Sequence, residues 1–199
     1  MTANVVRVET TPKLGENMRD VRGDSVKRQL KADHAIDISQ VRSIVGYLIS
    51  SQITSEEISQ RVDDVFADPI IEESTTDSMH LENRDIFSKD FDMAITIAFK
   101  PGVTDNPGKA ALDGFRTIFP KAGDNARIST YITYVFNGVP DTVQADWLAK
   151  QLHNALIERA IFAVKGEKIP VIEYAPIAPS DYLPPSTICL LYTSDAADE

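Results

Sequence analysis

The 199-residue chain has one cysteine, Cys189, which excludes an internal disulfide and any cysteine-based metal site. Its three histidines, His34, His80 and His153, stand far apart, and none has a partner at metal-ligand spacing. No apolar run approaches the about 18 residues that a membrane helix needs. The opening MTANVVRVETTPK has no apolar stretch of the kind a signal peptide carries. Basic residues are nowhere dense enough for a nucleic-acid surface, and the formal net charge is −10. The expectation is therefore a cytoplasmic protein with neither nucleic acid nor membrane as partner. A composition of 43% hydrophobic and 25% charged residues fits one or two globular domains with a real core.

What is present is an internal repeat. VVRVE (5–9), DVRGDSVKRQL (20–30), QVRSIVGYLI (40–49), TSEEISQRVDDVF (54–66) and PIIEES (69–74) read as strand, helix, strand, helix, strand. The order recurs in AITIAF (94–99), DNPGKAALDGF (105–115), ARISTYITYVF (126–136), DTVQADWLAKQL (141–152) and LIERAIFAV (156–164). Asp20-x-x-Gly23 corresponds to Asp105-x-x-Gly108, and Tyr47 to Tyr134. Asp68-Pro-Ile-Ile71-Glu72 corresponds to Asn154-Ala-Leu-Ile157-Glu158. Taken alone, LIERAIFAV also fits a helix; its counterpart has Pro69 at its start and reads as a strand after a break, so both are read as strands.

The helix starts have mechanical support. Asp20 and Asp105 are N-caps, and Pro107 falls in a first turn where a missing N–H costs little. Thr54 and Glu57 form a capping box. Ala111, Phe115 and Ile118 make one apolar face, as do Ile58, Val62, Val65 and Phe66, and Leu148, Leu152 and Ala155. In the strands, Val41, Ser43, Val45, Tyr47 and Ile49 share a face, as do Ile128, Thr130, Ile132, Tyr134 and Phe136.

GVTDNPGKA (102–110) looks like a phosphate-binding loop but departs from G-x-x-x-x-G-K-[ST]. Gly102 and Gly108 are one residue too far apart, and Ala110 replaces the hydroxyl. The first copy, DVRGDSVKR, has no Gly-Lys pair. The shared element is Asp-x-x-Gly at a helix start, so Lys109 reads as a solvated helix residue. Glu56-Glu57 and Glu72-Glu73 read as caps or solvated faces, His153 as a helix-end residue, and Trp147 and Tyr134 as core. No catalytic, cofactor-binding or metal-binding residue is expected in this chain.

The division expected is a first repeat over 1–76, a connector over 77–91 and a second repeat over 92–166. A proline-rich linker over 167–188 follows, with Pro170, Pro176, Pro179, Pro184 and Pro185. CLLYTSDAADE (189–199) resembles a translated sequencing-adapter tail, so a natural chain continuing past about Ile188 is expected; the other reading is a genuine disordered terminus.

The ordered motifs resemble those of the small PurS-type subunit of phosphoribosylformylglycinamidine synthase. ITIAFKPGVTDNPGKAALDGF (95–115), the alternating strand after it and Asn-x-Leu-Ile-Glu (154–158) are similar to one such unit. RGDSVKRQL and VRSIVGYLISSQITSEEISQRVDDVFADPIIEE, within 22–73, are similar to another, with TPKLGENMRDVRG as a longer loop. The resemblance spans about residues 4–165 and matches the large single-chain form, where two such units are fused. Two such strand-rich units would pair edges or faces and bury what one copy leaves exposed, and the α+β fold expected is two PurS-like β-α-β-α-β units packed as a pseudo-two-fold pair of antiparallel sheets with helices on one face.

For function, the resemblance implies the non-catalytic N-terminal scaffold of an amidoligase. That enzyme converts formylglycinamide ribonucleotide to its amidine with ATP, Mg and glutamine in purine biosynthesis. ATP and Mg would bind in synthetase domains of the parent chain, and a glutaminase domain or subunit would be the second partner. Exposed interface surface would favour self-association of the isolated piece. The alternative reading is a free-standing α+β module that binds a small molecule or regulates.

Overall fold

A computed structural model describes residues 4–15, 18–82, 91–167 and 171–172. The connector is described only in part, and the linker prolines and Cys189 lie outside these residues. Among the described residues, six strands and four α-helices follow in the order β1 (Asn4–Pro12), α1 (Val21–His34), β2 (Gln40–Ser51), α2 (Ser55–Gln60), β3 (Glu72–Thr76), β4 (Met93–Phe99), α3 (Asn106–Ile118), β5 (Arg127–Asn137), α4 (Ala145–Leu152) and β6 (Glu158–Val164). The fold is α+β. All strands join one antiparallel sheet in the order β3-β1-β2-β5-β4-β6.

One sheet replaces the expected pair of sheets. The reason is the long ladder between β2 and β5, running from Gln40↔Asn137 to Ser50↔Arg127. Each half alone would expose that edge, and pairing the two satisfies both rows of backbone donors and acceptors. Read from either end, the sheet meets the third, first and second strand of a half in turn.

Register puts Val6, Val8, Val41, Tyr47, Ile49, Ile95, Ile128, Tyr134 and Phe136 on one face. All four helices pack there, in two clusters. One joins Ile58 of α2 and Phe115 of α3 to Val6, Val8, Ile49 and Ile128. The other joins Val26 and Leu30 of α1 and Leu148 of α4 to Met93, Ile95, Ile97 and Phe136. Each cluster draws on both halves of the chain. Fully buried side chains such as Phe115, Leu30 and Leu148 each stabilise the fold by about 2 kcal/mol.

The helix starts form as their sequences dictate. Asp20 and Asp105 cap α1 and α3, and Thr54 and Glu57 form the capping box of α2. Some expectations shift. The 54–66 segment is a short α-helix followed by a 3₁₀ turn at Val62–Asp64, and Ile58, Val62 and Phe66 still share one cluster. Pro69–Ile71 is a turn, because the Asp68 side chain accepts the Ile70 amide at 2.9 Å; β3 starts only at Glu72. Ala155 lies beyond α4 and is exposed, since His153 is already extended. Leu112 and Ala111 of α3, and Phe119 just past its end, pack beside Phe115, and Ile118 is outside that cluster.

The opposite face is covered too. His80, in a 3₁₀ turn after β3, is fully buried, and Leu81 and Phe91 pack on Ile44, Ala94 and Val135. Within the stretch read from its polarity as a plain connector, Leu81 and Phe91 thus lie against the sheet, because they find apolar positions on β2, β4 and β5. Ile172 packs on Leu48, Ala98 and Tyr131 of the same face.

Candidate functional site

The helix layer opens along the line where β2 meets β5. The N-termini of α1 and α3 stand beside this line, each fixed by the same construction. Asp20 accepts the Gly23 amide at 2.8 Å, the Ser43 amide at 2.5 Å and the Ser43 hydroxyl at 2.8 Å. Asp105 accepts the Gly108 amide at 2.6 Å, the Thr130 amide at 2.6 Å and the Thr130 hydroxyl at 2.9 Å. Each carboxylate therefore caps a helix and fastens it to a strand, satisfying orphan donors at both.

The glycines explain how close the helices come. A Cβ on Gly23 would stand 2.1 Å from the Val41 carbonyl oxygen, and one on Gly108 2.7 Å from that of Ile128. The spacing Asp-x-x-Gly thus supplies a cap acceptor and a gap through which the strand's backbone approaches. The loop GVTDNPGKA is turn and cap: Gly102 has φ 92°, the Gly108 amide is taken by Asp105, and Lys109 is exposed.

The turns before β3 and β6 repeat in the same way. Glu72 accepts the Asp68 amide at 3.1 Å, and Glu158 the Asn154 amide at 2.7 Å. Lys13 donates to the Pro69 carbonyl at 2.5 Å, and Lys100 donates to that of Ala155. Glu72 is thus a turn acceptor, and Glu57 a cap whose carboxyl is held below its ordinary value, chiefly by the Thr54 backbone amide.

Between the two helix starts lies a groove of about 290 Å³. Its floor is Val45 of β2, Ile132 of β5 and Ile97 of β4, with Tyr47 and Phe99 beside them. Arg22 and Pro107 line it from the helix starts, and Glu158 from the first position of β6. Register sets Tyr47 against Thr130, and Tyr134 against Ser43. Burial pushes the Tyr47 phenol up, with Glu72 adding to the shift and Arg22 opposing it. Burial also pushes up that of Tyr134, with Arg22 opposing and Asp20 and Glu158 adding.

A second polar cluster lies under the opposite face. Glu9 is 4% exposed. It accepts the Tyr131 hydroxyl at 2.5 Å and the His80 amide at 2.6 Å. The Tyr131 ring lies over Gly46, where a Cβ would stand 1.9 Å from it. Burial pushes the Tyr131 phenol far up, reinforced by the Glu9 charge, and pushes the His80 imidazole down. Sequence reading missed this cluster. The available signal was Tyr131, Thr133 and Val135 alternating with the inward-facing even-numbered residues of β5, a strand with no solvent face.

The other residues singled out by sequence sit apart from the groove. His153 ends α4, its Nδ1 2.6 Å from the Ala149 carbonyl oxygen. Trp147 meets His34 edge-on at 5.0 Å, joining α4 to α1. Among the described residues, no three His, Cys, Asp or Glu side chains converge to hold a metal ion, and no helix is long and apolar enough to cross a membrane. Compared with models of known protein families and with curated proteins, the chain has no match.

Proposed function

We propose that the chain is a tandem PurS-like scaffold from the N-terminal region of a phosphoribosylformylglycinamidine synthase. In this reading the two halves are copies of one unit, related by a pseudo-two-fold axis through the Val45–Ile132 pair. The observation that carries it is the recurrence of one hydrogen-bond set, at Asp20 with Gly23 and Ser43 and at Asp105 with Gly108 and Thr130. The strand order, the same from either end, supports it further.

The scaffold would act by shape. A rigid sheet with its interior edges paired offers fixed surfaces on which larger domains can be held in register. Exposed Ile70 and Leu156 occupy corresponding turns, 73% and 85% accessible, and are suited to contact with such domains. The partners would be the synthetase domains, where ATP and Mg bind, and a glutaminase domain or subunit, all in the cytoplasm. This chain would take no part in the bond-making step.

Reconstitution tests the reading. The purified chain is added to a phosphoribosylformylglycinamidine synthase lacking its PurS-like region, and glutamine-dependent amidine formation is measured. Saturable recovery of activity supports the scaffold role; neither binding nor recovery overturns it. Re-reading the source DNA beyond the codon for Ile188 tests the fused form. An open frame into synthetase domains supports that form, and an immediate stop overturns it.

A further inference from the structure

The two halves depart from each other where they line the groove. Arg22 and Pro107 hold the same place, two residues after the caps Asp20 and Asp105, and both face the cavity. One lip therefore carries a guanidinium and the other a proline ring. The lining is one-sided in a second way: Ile97, Phe99 and Glu158 belong to it and their first-half counterparts Thr10, Pro12 and Glu72 do not, so the groove offers a ligand one orientation.

The geometry points to a binding site for a small amphipathic monocarboxylate. Its apolar body would lie on Val45, Ile132 and Ile97, and its carboxylate would meet Arg22. The volume of about 290 Å³ is at the small end of ligand pockets. The floor offers apolar surface, and the Tyr47 phenol beside it adds a donor. The amides of Gly23 and Gly108 are committed to Asp20 and Asp105 and Pro107 has no N–H, so the guanidinium of Arg22 is the cationic donor that lines the groove. Among the described residues, no carboxylate lies within ion-pair distance of Arg22.

The charges also set selectivity. Arg22 belongs to α1, whose Gly23 rests against β2, whereas Glu158 is on β6, with β5 and β4 between. A ligand with one negative end avoids Glu158, and a dicarboxylate of similar length is repelled by it. The site goes beyond the scaffold reading and does not rest on it.

Methyl NMR of the full chain tests the site, with 3-phenylpropionate as probe, adipate as the dianion and 3-phenylpropanol as the uncharged analogue. The expected result is a saturable shift of the Val45 and Ile132 methyls with 3-phenylpropionate. Adipate and the alcohol should bind about tenfold more weakly, as should 3-phenylpropionate to Arg22→Gln, whose exposed position spares the fold. Lys109→Gln, on the exposed side of α3, should bind as the parent does. Absence of a saturable shift, or undiminished binding by Arg22→Gln, overturns the proposal. Either result leaves the reconstitution assay unchanged, so failure of the site and failure of the scaffold role are told apart.

Discussion

The carboxylate of Asp20 lies 2.5 Å from the backbone nitrogen of Ser43, so a helix cap is also a strand anchor. Asp20 is nearly fully buried and accepts from three donors. Asp20→Asn should destabilise the protein nearly as much as Asp20→Ala, by about 3 kcal/mol, because an amide turns N–H groups toward donors. Urea unfolding of both variants checks this. An Asn variant close to the parent would mean that the buried charge is dispensable.

Gly23→Ala and Gly108→Ala should both destabilise, although alanine is the better helix former by about 1 kcal/mol. The added methyl meets a strand carbonyl in each case, at 2.1 Å from Val41 and 2.7 Å from Ile128. Gly23→Ala should cost about 3 kcal/mol and Gly108→Ala about half that. The order of the two melting temperatures is the informative quantity.

Under the opposite face, Gly46→Ala should drive a methyl into the Tyr131 ring, which Glu9 holds by its hydroxyl. The loss should be about 3 kcal/mol. Adding Tyr131→Ala should cost far less in the Gly46→Ala background than in the parent, since the clash is then gone. Additive losses in the double-mutant cycle would refute the contact.

Stability should fall at both pH extremes, for opposite reasons. The Tyr131 phenol is raised in the folded state, so above about pH 10 the unfolded chain releases a proton that the native one keeps. Stability then declines with rising pH by up to about 1.4 kcal/mol per unit, and Tyr131→Phe should flatten that limb. The His80 imidazole is lowered, so below about pH 6.5 the unfolded chain gains a proton first and stability falls with pH. His80→Gln should shallow the acid limb. Chemical denaturation across pH measures both slopes.

The sequence showed each element because its signals are local. Asp20-x-x-Gly23, Thr54-Ser-Glu-Glu57 and the alternation in β2 and β5 act over a few residues, and the structure has them where they were read. The joining of β2 to β5 was not legible, because the pairing Val45↔Ile132 is a contact between distant segments with no marker in either. Burial of Arg42, Glu9 and Thr11 was hidden because polar residues alternating with valines mimic a solvent face. Only the cover supplied by His80, Leu81 and Phe91 reverses that reading. The groove was invisible for a third reason: Arg22 and Pro107 correspond in the aligned Asp-x-x-Gly motifs, but only the β2–β5 ladder brings them to one cavity.

The ladder that joins β2 to β5 also governs how the chain reaches its native state. Partners such as Ser50 and Arg127 are separated by most of a half-chain, whereas β1–β2 and β4–β5 pair through a single intervening helix. Closing the long loop is the entropically dearest step, so hairpin-like halves assemble early and the central zipper late. Until it closes, each half presents a long naked rim of β-strand. The window for wrong partnering between chains is therefore set by the slowest contact in the molecule, which is also the one at its centre.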